Sequence, residues 1–370
     1  MSVTIHGTNG VTYNDGTVQS SAPVGKNKII NGNMLIAQRG TSGTPTAAGG
    51  YFACDRWKAW EASDAAVTLS QETDGPTGQF TKCLKYNITT ADSSITASQF
   101  GMVRQMIEGQ NIIDLGFGTA SAQSVTISFW VKSSLTGSHG AALNNGNEDR
   151  SYPFAYTVSS ANTWEYKTVT IAGDTSGTWD TDNTAGMIVT FGLGTGTTYQ
   201  GTADAWQAGN KFQPSGTIQN IGTVSNWNVT GVQLEAGVNA TDFENLQYGQ
   251  QYALCQRYYQ KYLNDSGATG EGFWGTGLQD STTSFVGGFV YQTPMRIKPT
   301  AFETSGTATD YRVQIKGNSS VTCSAVPTVS GMTTWGARLT FTTASGLTAG
   351  EAGIYRSNTT AAYVAWSAEL

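Results

Sequence analysis

The sequence predicts an all-β protein: a jelly-roll or β-sandwich domain, a short linking helix, and a second β-sandwich domain at the C-terminal end. Three observations carry this. Segments of about five to nine residues alternate apolar and polar side chains along most of the chain, the period-2 pattern of strands with one buried face. Turn-rich stretches such as TDGPTGQ, LNNGNED and GDTSGTWDTDNTAG separate them. The composition pairs 45 Gly and 11% aromatic residues with only 12% charge, about half the usual charged fraction of about 25%. That many aromatics argue against disorder, and the polar surface is made of Thr, Ser, Asn and Gln. A length of 370 residues suits two or three domains.

Residues 1–25 read as a small separate β segment. In VTYNDGTVQ, apolar and aromatic residues flank Asn14-Asp15-Gly16, a strong hairpin signal, and SSAPVGKN follows as a linker. So short a piece buries no core alone and needs a larger body or another chain.

Residues 26–240 read as the sandwich. AVTLSQ, TKCLKYNIT, QFGMVRQMIEG, SVTISFWVKSS, EYKTVTIAG, GMIVTFGLG and WNVTGVQLE each alternate, with no helix between them. Trp57 and Trp130 are assigned to its core, Trp130 because it stands mid-strand. Residues 241–262 read as the linking helix. Thr241 and Glu244 match an S/T-x-x-E capping box. Leu254, Cys255, Tyr258, Tyr259 and Tyr262 fall on one helical face, with the stable part expected from about Gly249 to Tyr262. A helix this short needs a partner surface, either its own chain or a bundle of three copies. Residues 263–370 return to strands in SFVGGFVYQTPMRIKPTAFET, DYRVQIKG, ARLTFTTAS and AYVAWSAEL, with Pro294 and Pro299 at strand ends or edges.

Several functions are disfavoured. The formal charge of −6 speaks against nucleic-acid binding, which needs a basic face. No apolar run approaches the about 20 residues of a membrane span. MSVTIHGTNG lacks the charged start and apolar core of a secretory signal. Cys54, Cys83, Cys255 and Cys323 show no C-x-x-C or zinc spacing and read as buried free thiols, with a Cys54–Cys83 disulfide left open. Such thiols suit a reducing cytoplasm or redox indifference.

No catalytic residue is expected. His6 lies in the N-terminal hairpin and His139 in TGSHGAA, read as a surface loop, so no Ser-His-Asp set is in prospect. GLGTGTTYQG has neither the Lys nor the helix of a phosphate loop and reads as a strand entering a turn. A glycosidase needs two carboxylates about 5–10 Å apart. Asp55, Glu61, Asp64, Glu148, Asp149, Asp174, Asp180, Asp182 and Asp204 offer no telling spacing, and most lie in turns. Acidic turns such as GDTSGTWDTDN have the oxygen ligands of a structural Ca²⁺ site, but solvated turn carboxylates are the simpler reading. No cofactor and no metal are therefore expected. Aromatics near predicted loops say more: Tyr152 and Tyr156 in RSYPFAY, Trp179 in SGTWD, Tyr199 and Trp206 in TTYQGTADAWQ. Their flat apolar rings suit the C–H faces of sugars while Asn, Asp and Gln bind the hydroxyls. These five are the candidate glycan-binding residues, though any one of them also suits a core.

Several long phrases run in a familiar order: NKIINGNMLIAQRG, YFACDRW, VTISFWVKSSLTGSHGAAL, ANTWEYKTVTIAGDTSGTW, WNVTGVQLEAGVNATDFENLQYGQQYALCQRYYQKY and AAYVAWSAEL. Together they resemble tail-fibre and receptor-binding proteins of tailed bacteriophages and cyanophages, over most of the chain. The central part is also similar to jelly-roll carbohydrate-binding modules. The resemblance implies a non-enzymatic virion protein, made in the host cytoplasm and carried on the tail or capsid surface. It implies a homotrimer with Leu254, Tyr258 and Tyr262 around the fibre axis; a helix docked within its own chain is the alternative. It implies an N-terminus that attaches to other virion proteins, with Val11, Tyr13 and Val18 as attachment residues, and a C-terminal domain toward the tip. Its partners would be itself, virion proteins and host-surface polysaccharide, without nucleic acid or membrane insertion. Lacking a long coiled coil or collagen-like repeat, the chain reads as a stubby fibre. A capsid head fibre, decoration protein or structural tail adaptor without receptor binding is the alternative. A polysaccharide depolymerase is a weaker one, because no long β-helix region is seen.

Overall fold

The computed structural model describes Thr4–His6, Gly10–Thr12, Val18–Gln19, and residues 25–264 and 272–370. The chain divides into two compact units, Met1–Gln247 and Tyr248–Leu370. The all-β expectation holds, with a sandwich in the first unit and a second pair of sheets in the other.

The first unit opens with an antiparallel three-stranded sheet of β1 (Thr4–His6), β2 (Gly10–Thr12) and β3 (Val18–Gln19). Val11 pairs with Gln19 and Thr12 with Val18. Tyr13 and the Asn14-Asp15-Gly16 turn lie outside the described residues.

The sandwich strands follow in chain order. They are β4 (Ser42–Gly43), β5 (Lys58–Glu61), β6 (Ala66–Glu72), β7 (Cys83–Thr90), β8 (Phe100–Glu108) and β9 (Val125–Ser133). Next come β10 (Gly137–Asn145), β11 (Arg150–Val158), β12 (Glu165–Ile171) and β13 (Ala185–Thr195). The set ends with the short β14 (Gln200–Gly201), β15 (Gln207–Ala208) and β16 (Gln213–Pro214), then the long β17 (Ser225–Ala236). One sheet has the order β15-β11-β10-β13-β8-β5 and the other β12-β9-β17-β7-β6-β4. Their inner faces meet in one core. Val103, Leu143, Phe154, Val189 and Phe191 come from the first sheet, and Leu84, Ile127, Phe129, Val131, Trp227 and Val229 from the second. Each such side chain contributes about 1.5–3 kcal/mol by burial.

Among the strands that were not anticipated, β10 and β11 are the longest, at nine residues each. β10 shows no alternation because both of its faces are covered, and a strand buried on both sides loses the period-2 signature. Its outer side lies against β16. A side chain at Gly140 would come within 2.4 Å of Gln213 Cβ, and one at Gly192 within 2.7 Å of Gln213 Oε1. His139 is therefore a fully buried strand residue, not a surface loop residue. Its Nε2 lies 3.0 Å from the Leu135 carbonyl oxygen and its ring stacks on Tyr156 at 5.7 Å. β11 carries Pro153 mid-strand. Beyond Ser151, β15 no longer pairs with it, so Pro153 faces an open edge where its missing N–H costs nothing. Its carbonyl accepts from Asp204 N at 2.8 Å on that side.

Two phrases distant in sequence interlock. Asn31 of NKIINGNMLIAQRG holds Ile36 N and O and Asp55 O through its buried amide, at 2.9–3.0 Å. Trp57 of YFACDRW donates its indole N–H to Asn31 O at 3.1 Å, and Asp55 accepts from Gln38 N and Nε2. Trp57 is buried in the core as expected. The four cysteines are free and buried, without the Cys54–Cys83 disulfide.

The second unit begins with helix α1 (Tyr248–Gln256) and continues as β18 (Tyr259–Leu263), β19 (Phe273–Gln279), β20 (Ser284–Val290), β21 (Ala301–Thr304) and β22 (Tyr311–Gln314). It ends with β23 (Ser320–Thr322), β24 (Thr328–Ser330), β25 (Gly336–Thr342), β26 (Ala352–Ser357) and β27 (Tyr363–Ser367). The sheets are β18-β27-β21 and β23-β22-β26-β19-β20-β25-β24, closing on Phe285, Phe289, Tyr311, Leu339, Phe341 and Trp366.

The helix starts within one residue of the expected Gly249 but ends early, at Gln256 instead of Tyr262, and the residues 241–247 that were joined to it are not helical. Thr241 and Glu244 form no capping box. The Thr241 hydroxyl donates to Glu235 at 2.6 Å, and the Glu244 carboxylate accepts from Gly25 N and Asn27 N. At the other end, the carbonyls of Arg257 and Tyr258 accept from Arg296 N and Ala368 N, both at 2.8 Å, so the chain leaves the helix. Tyr259–Leu263 then pairs with Tyr363–Ser367. Leu254, Tyr258 and Tyr262 thus share no helical face. Tyr258 is fully buried, Tyr262 packs edge-on against Phe289 at 4.4 Å, and Leu254 alone of the three is exposed on the helix. No helix among the described residues is long and apolar enough to cross a membrane.

Candidate functional site

The five aromatics singled out in the sequence separate into three places. Tyr152, Trp179 and Trp206 come together with Phe117 in an edge-to-face cluster, with ring centroids 4.7–6.0 Å apart. Trp179 and Tyr152 are at least nine-tenths buried there, and the indoles donate to backbone carbonyls, Trp206 to Ala172 at 2.7 Å and Trp179 to Ser176 at 3.2 Å. Burial pushes the Tyr152 phenol up, with Asp204 adding to it. Tyr199 stacks on Phe212 at 4.6 Å. Tyr156 lies in the sandwich core, where its hydroxyl accepts from the Trp227 indole at 2.9 Å and burial raises its pKa. In this fold these rings mostly spend their faces on each other.

Several of the carboxylates weighed for catalysis are engaged as well. Asp174 takes a two-pronged ion pair from Arg150 at 2.7 and 2.8 Å, and Glu148 pairs with Arg104 at 2.7 Å. Glu61 accepts from Tyr86 and Ser63, and burial raises its pKa. In the acidic turn considered for Ca²⁺, Asp174 also accepts from Ser176, and Asp182 from Thr184.

An aromatic cleft lies elsewhere, on the outer face of the β12-β9-β17 side of the sandwich. In β9, Val125, Ile127, Phe129 and Val131 point inward. The intervening Ser128 and Trp130 therefore point outward. Trp130 is a cross-strand partner of Tyr166 on β12. Their rings stand 5.4 Å apart, tilted by 46°, and Tyr166 is 45% exposed. This corrects the assignment of Trp130 to the core.

The walls are two loop segments. One is the turn at Gly78, Gln79 and Phe80; the other runs from Ala240 to Asn245. Phe80 and Phe243 meet edge to face at 5.0 Å. The cleft, open on one side, has a volume of about 570 Å³, within the range of small-ligand sites. Gln79, Ser128, Thr241, Asp242 and Asn245 supply polar groups to the lining.

A β-bulge shapes the floor. Thr230 of β17 faces Trp130, but Gln233 faces Ser128, so β17 carries one extra residue there. Gly231 takes that position at φ 61°, where a Cβ would stand 2.7 Å from Phe80 Cζ and 3.2 Å from Trp130 Cδ1. Only glycine fits both the left-handed backbone and the close approach of the two rings. Val232 turns its N–H to Gly32 O at 3.0 Å.

The wall from Thr241 to Glu244 is pinned from below by β17. Glu235 accepts from Thr241 N at 2.9 Å, and Gln233 accepts from Glu244 N at 2.8 Å. The Asp242 carbonyl accepts from the Lys26 ammonium at 2.7 Å. The cleft is thus a rigid surface with a tilted aromatic pair for the apolar face of a ring and nearby amide, hydroxyl and carboxylate groups for its substituents. Sequence reading missed it, although the signal was present: Trp130 falls on the even, polar positions of SVTISFWVKSS with Ser128 and Lys132, and Tyr166 falls with Thr168 and Thr170.

No family model and no curated protein matches this sequence. Among solved structures, the enzymatically active domain of tailspike protein 4 from bacteriophage CBA120 aligns at 10% identity and a TM-score of 0.31, over 57% of this chain and 22% of that one. A CBM4 structure aligns at 16% identity and a TM-score of 0.31, over 56% and 98%. A putative sugar binding protein from Bacteroides thetaiotaomicron aligns at 11% identity and a TM-score of 0.32, over 57% and 100%. At these scores the functional reading rests on the cleft itself.

Proposed function

We propose that this protein is a non-enzymatic virion component of a tailed phage, a short tail fibre or receptor-binding protein that attaches to host-surface glycan through the Trp130–Tyr166 cleft. The observation that carries the binding reading is the outward cross-strand aromatic pair, held on a bulged strand and rimmed by polar side chains. The sequence phrases that resemble phage fibres support the virion setting. A passive role is favoured because Asp242 is the one carboxylate in the cleft lining, whereas glycosidic hydrolysis uses two.

A glycan array followed by titration calorimetry tests this. The parent chain is expected to bind at least one polysaccharide without releasing reducing ends, and Trp130→Ala to abolish most of that binding while remaining folded. Equal binding by parent and variant sinks the assignment of the cleft. Peptide mass mapping of purified particles tests the virion setting, which fails if the chain is absent from them. The homotrimer belongs to the same proposal, with Leu254 as the expected interface residue that stays exposed. Light scattering of the full chain checks it, and a monomer at micromolar concentration removes it.

A further inference from the structure

The glycan reading of the cleft can be taken one step further, to the class of sugar. The polar wall carries an unequal charge. Glu235, Asp242 and Glu244 stand on or beneath it, against the ammonium of Lys26, which is held by Thr241 Oγ1 and by the Asp242 carbonyl. The cleft lining itself contains one ionisable acid, Asp242, and no Lys or Arg. At the side of the wall, Lys132 is ion-paired with Asp74.

The main chain at Asp242 is held in place. Its carbonyl takes Lys26 Nζ at 2.7 Å and Gln233 Nε2 at 3.3 Å, and its neighbours Thr241 and Glu244 are tied to Glu235 and Gln233. The backbone that presents the carboxylate is fixed from both sides, so a ligand pays little ordering cost there. A carboxylate accepts hydrogen bonds and donates none. It suits the hydroxyls of a neutral sugar and opposes a second carboxylate placed opposite it.

We infer that the cleft selects neutral sugars over uronic acids and that Asp242 is the residue that sets this preference. The inference rests on the proposed glycan binding. At a separation near 5 Å in a largely aqueous setting, like-charge repulsion corresponds to a preference of about three- to tenfold.

The test uses neutral polysaccharides with free primary hydroxyls (a β-1,3/1,4-glucan, a β-1,4-galactan, a β-1,4-mannan and amylose), each paired with its own C6-oxidised form, so that linkage is conserved and only the carboxylate is new. The parent chain is expected to bind a neutral polymer and to bind the oxidised form about three- to tenfold more weakly. Asp242→Asn is expected to close most of that gap, and 1 M salt to shrink it in the parent. Trp130→Ala is expected to weaken binding to both forms and leave their ratio in place. An oxidised polymer that binds as well as its neutral parent, or a gap unchanged in Asp242→Asn, overturns the selectivity while leaving glycan binding intact. Absence of binding to every polymer of both kinds overturns the glycan reading and this inference with it.

Discussion

Trp130 and Tyr166 occupy directly paired positions on adjacent antiparallel strands, and both turn away from the core, with their rings 5.4 Å apart. The pair shares one face of a sheet whose other face is packed with Ile127, Phe129 and Val131. Its geometry is therefore set by the sheet and not by a loop, which is the condition for a preorganised platform.

Removing the platform should cost binding and little stability. Trp130→Ala is expected to weaken glycan binding at least about tenfold while shifting the unfolding free energy by about 1 kcal/mol or less, since the ring is only partly buried. Trp179→Ala should do the reverse, with a loss of about 3–5 kcal/mol because its ring packs on Phe117 and Trp206 and no direct effect on the ligand. Titration calorimetry and urea unfolding on both variants separate the two roles. Equal behaviour of the two contradicts the placement of the site.

Gly231 links backbone geometry to the cleft. Gly231→Ala puts a Cβ at φ 61° and within 2.7 Å of Phe80. The expected cost is about 1–3 kcal/mol, together with weaker ligand binding as Phe80 and Trp130 shift. A variant as stable as the parent in urea would show that the bulge relaxes freely.

His139 should make stability depend on pH. Burial lowers its pKa from the ordinary value of 6.5, partly offset by its hydrogen bond to the Leu135 carbonyl. The folded state then binds fewer protons than the unfolded state. The stability from the neutral ring is fully present above the unfolded pKa near 6.5 and is lost as pH falls from there through the lowered folded value. Between pH 7 and pH 5, the parent is expected to lose more stability than His139→Gln. Parallel urea midpoints for the two across that range would rule His139 out as the source.

Asn31→Ala tests the interlock of the two N-terminal phrases. It removes three buried hydrogen bonds and leaves the backbone groups of Ile36 and Asp55 short of partners. A loss of about 2–4 kcal/mol is expected, with no change in glycan affinity per folded molecule. A loss below about 0.5 kcal/mol in chemical denaturation would mean that water replaces the amide.

Legibility followed the physics of burial. Strands such as β7, β9 and β17 were readable because their outward positions are polar residues, buried or not, so the alternation survives in the residue types there. β10 was not, because β16 covers its outer side and Gly140, Ala141 and Ala142 show no polar positions. The helix was misjudged at its C-terminal end because Tyr258, Tyr259 and Tyr262 fit a helical stripe, whereas Tyr259–Leu263 gains a full set of backbone partners on β27. The packing of the glycan candidates was not legible for a related reason: aromatics near Gly-rich turns look exposed, yet Tyr152, Trp179 and Trp206 find one another in the fold.

By itself the sequence determined the all-β class, the sandwich with its second β domain, and the burial of Trp57 and the four cysteines, since periodicity and composition act locally and survive in any β arrangement. Only the tertiary structure decided which aromatics line the outward cleft and which pack on one another. Side-chain direction along a strand is local, but the neighbour across the strand is not: Trp130 meets Tyr166, and Phe80 meets Phe243, through pairings that join residues tens to more than a hundred positions apart. A site assembled from such contacts exists only once the register and the bulge at Gly231 are in place.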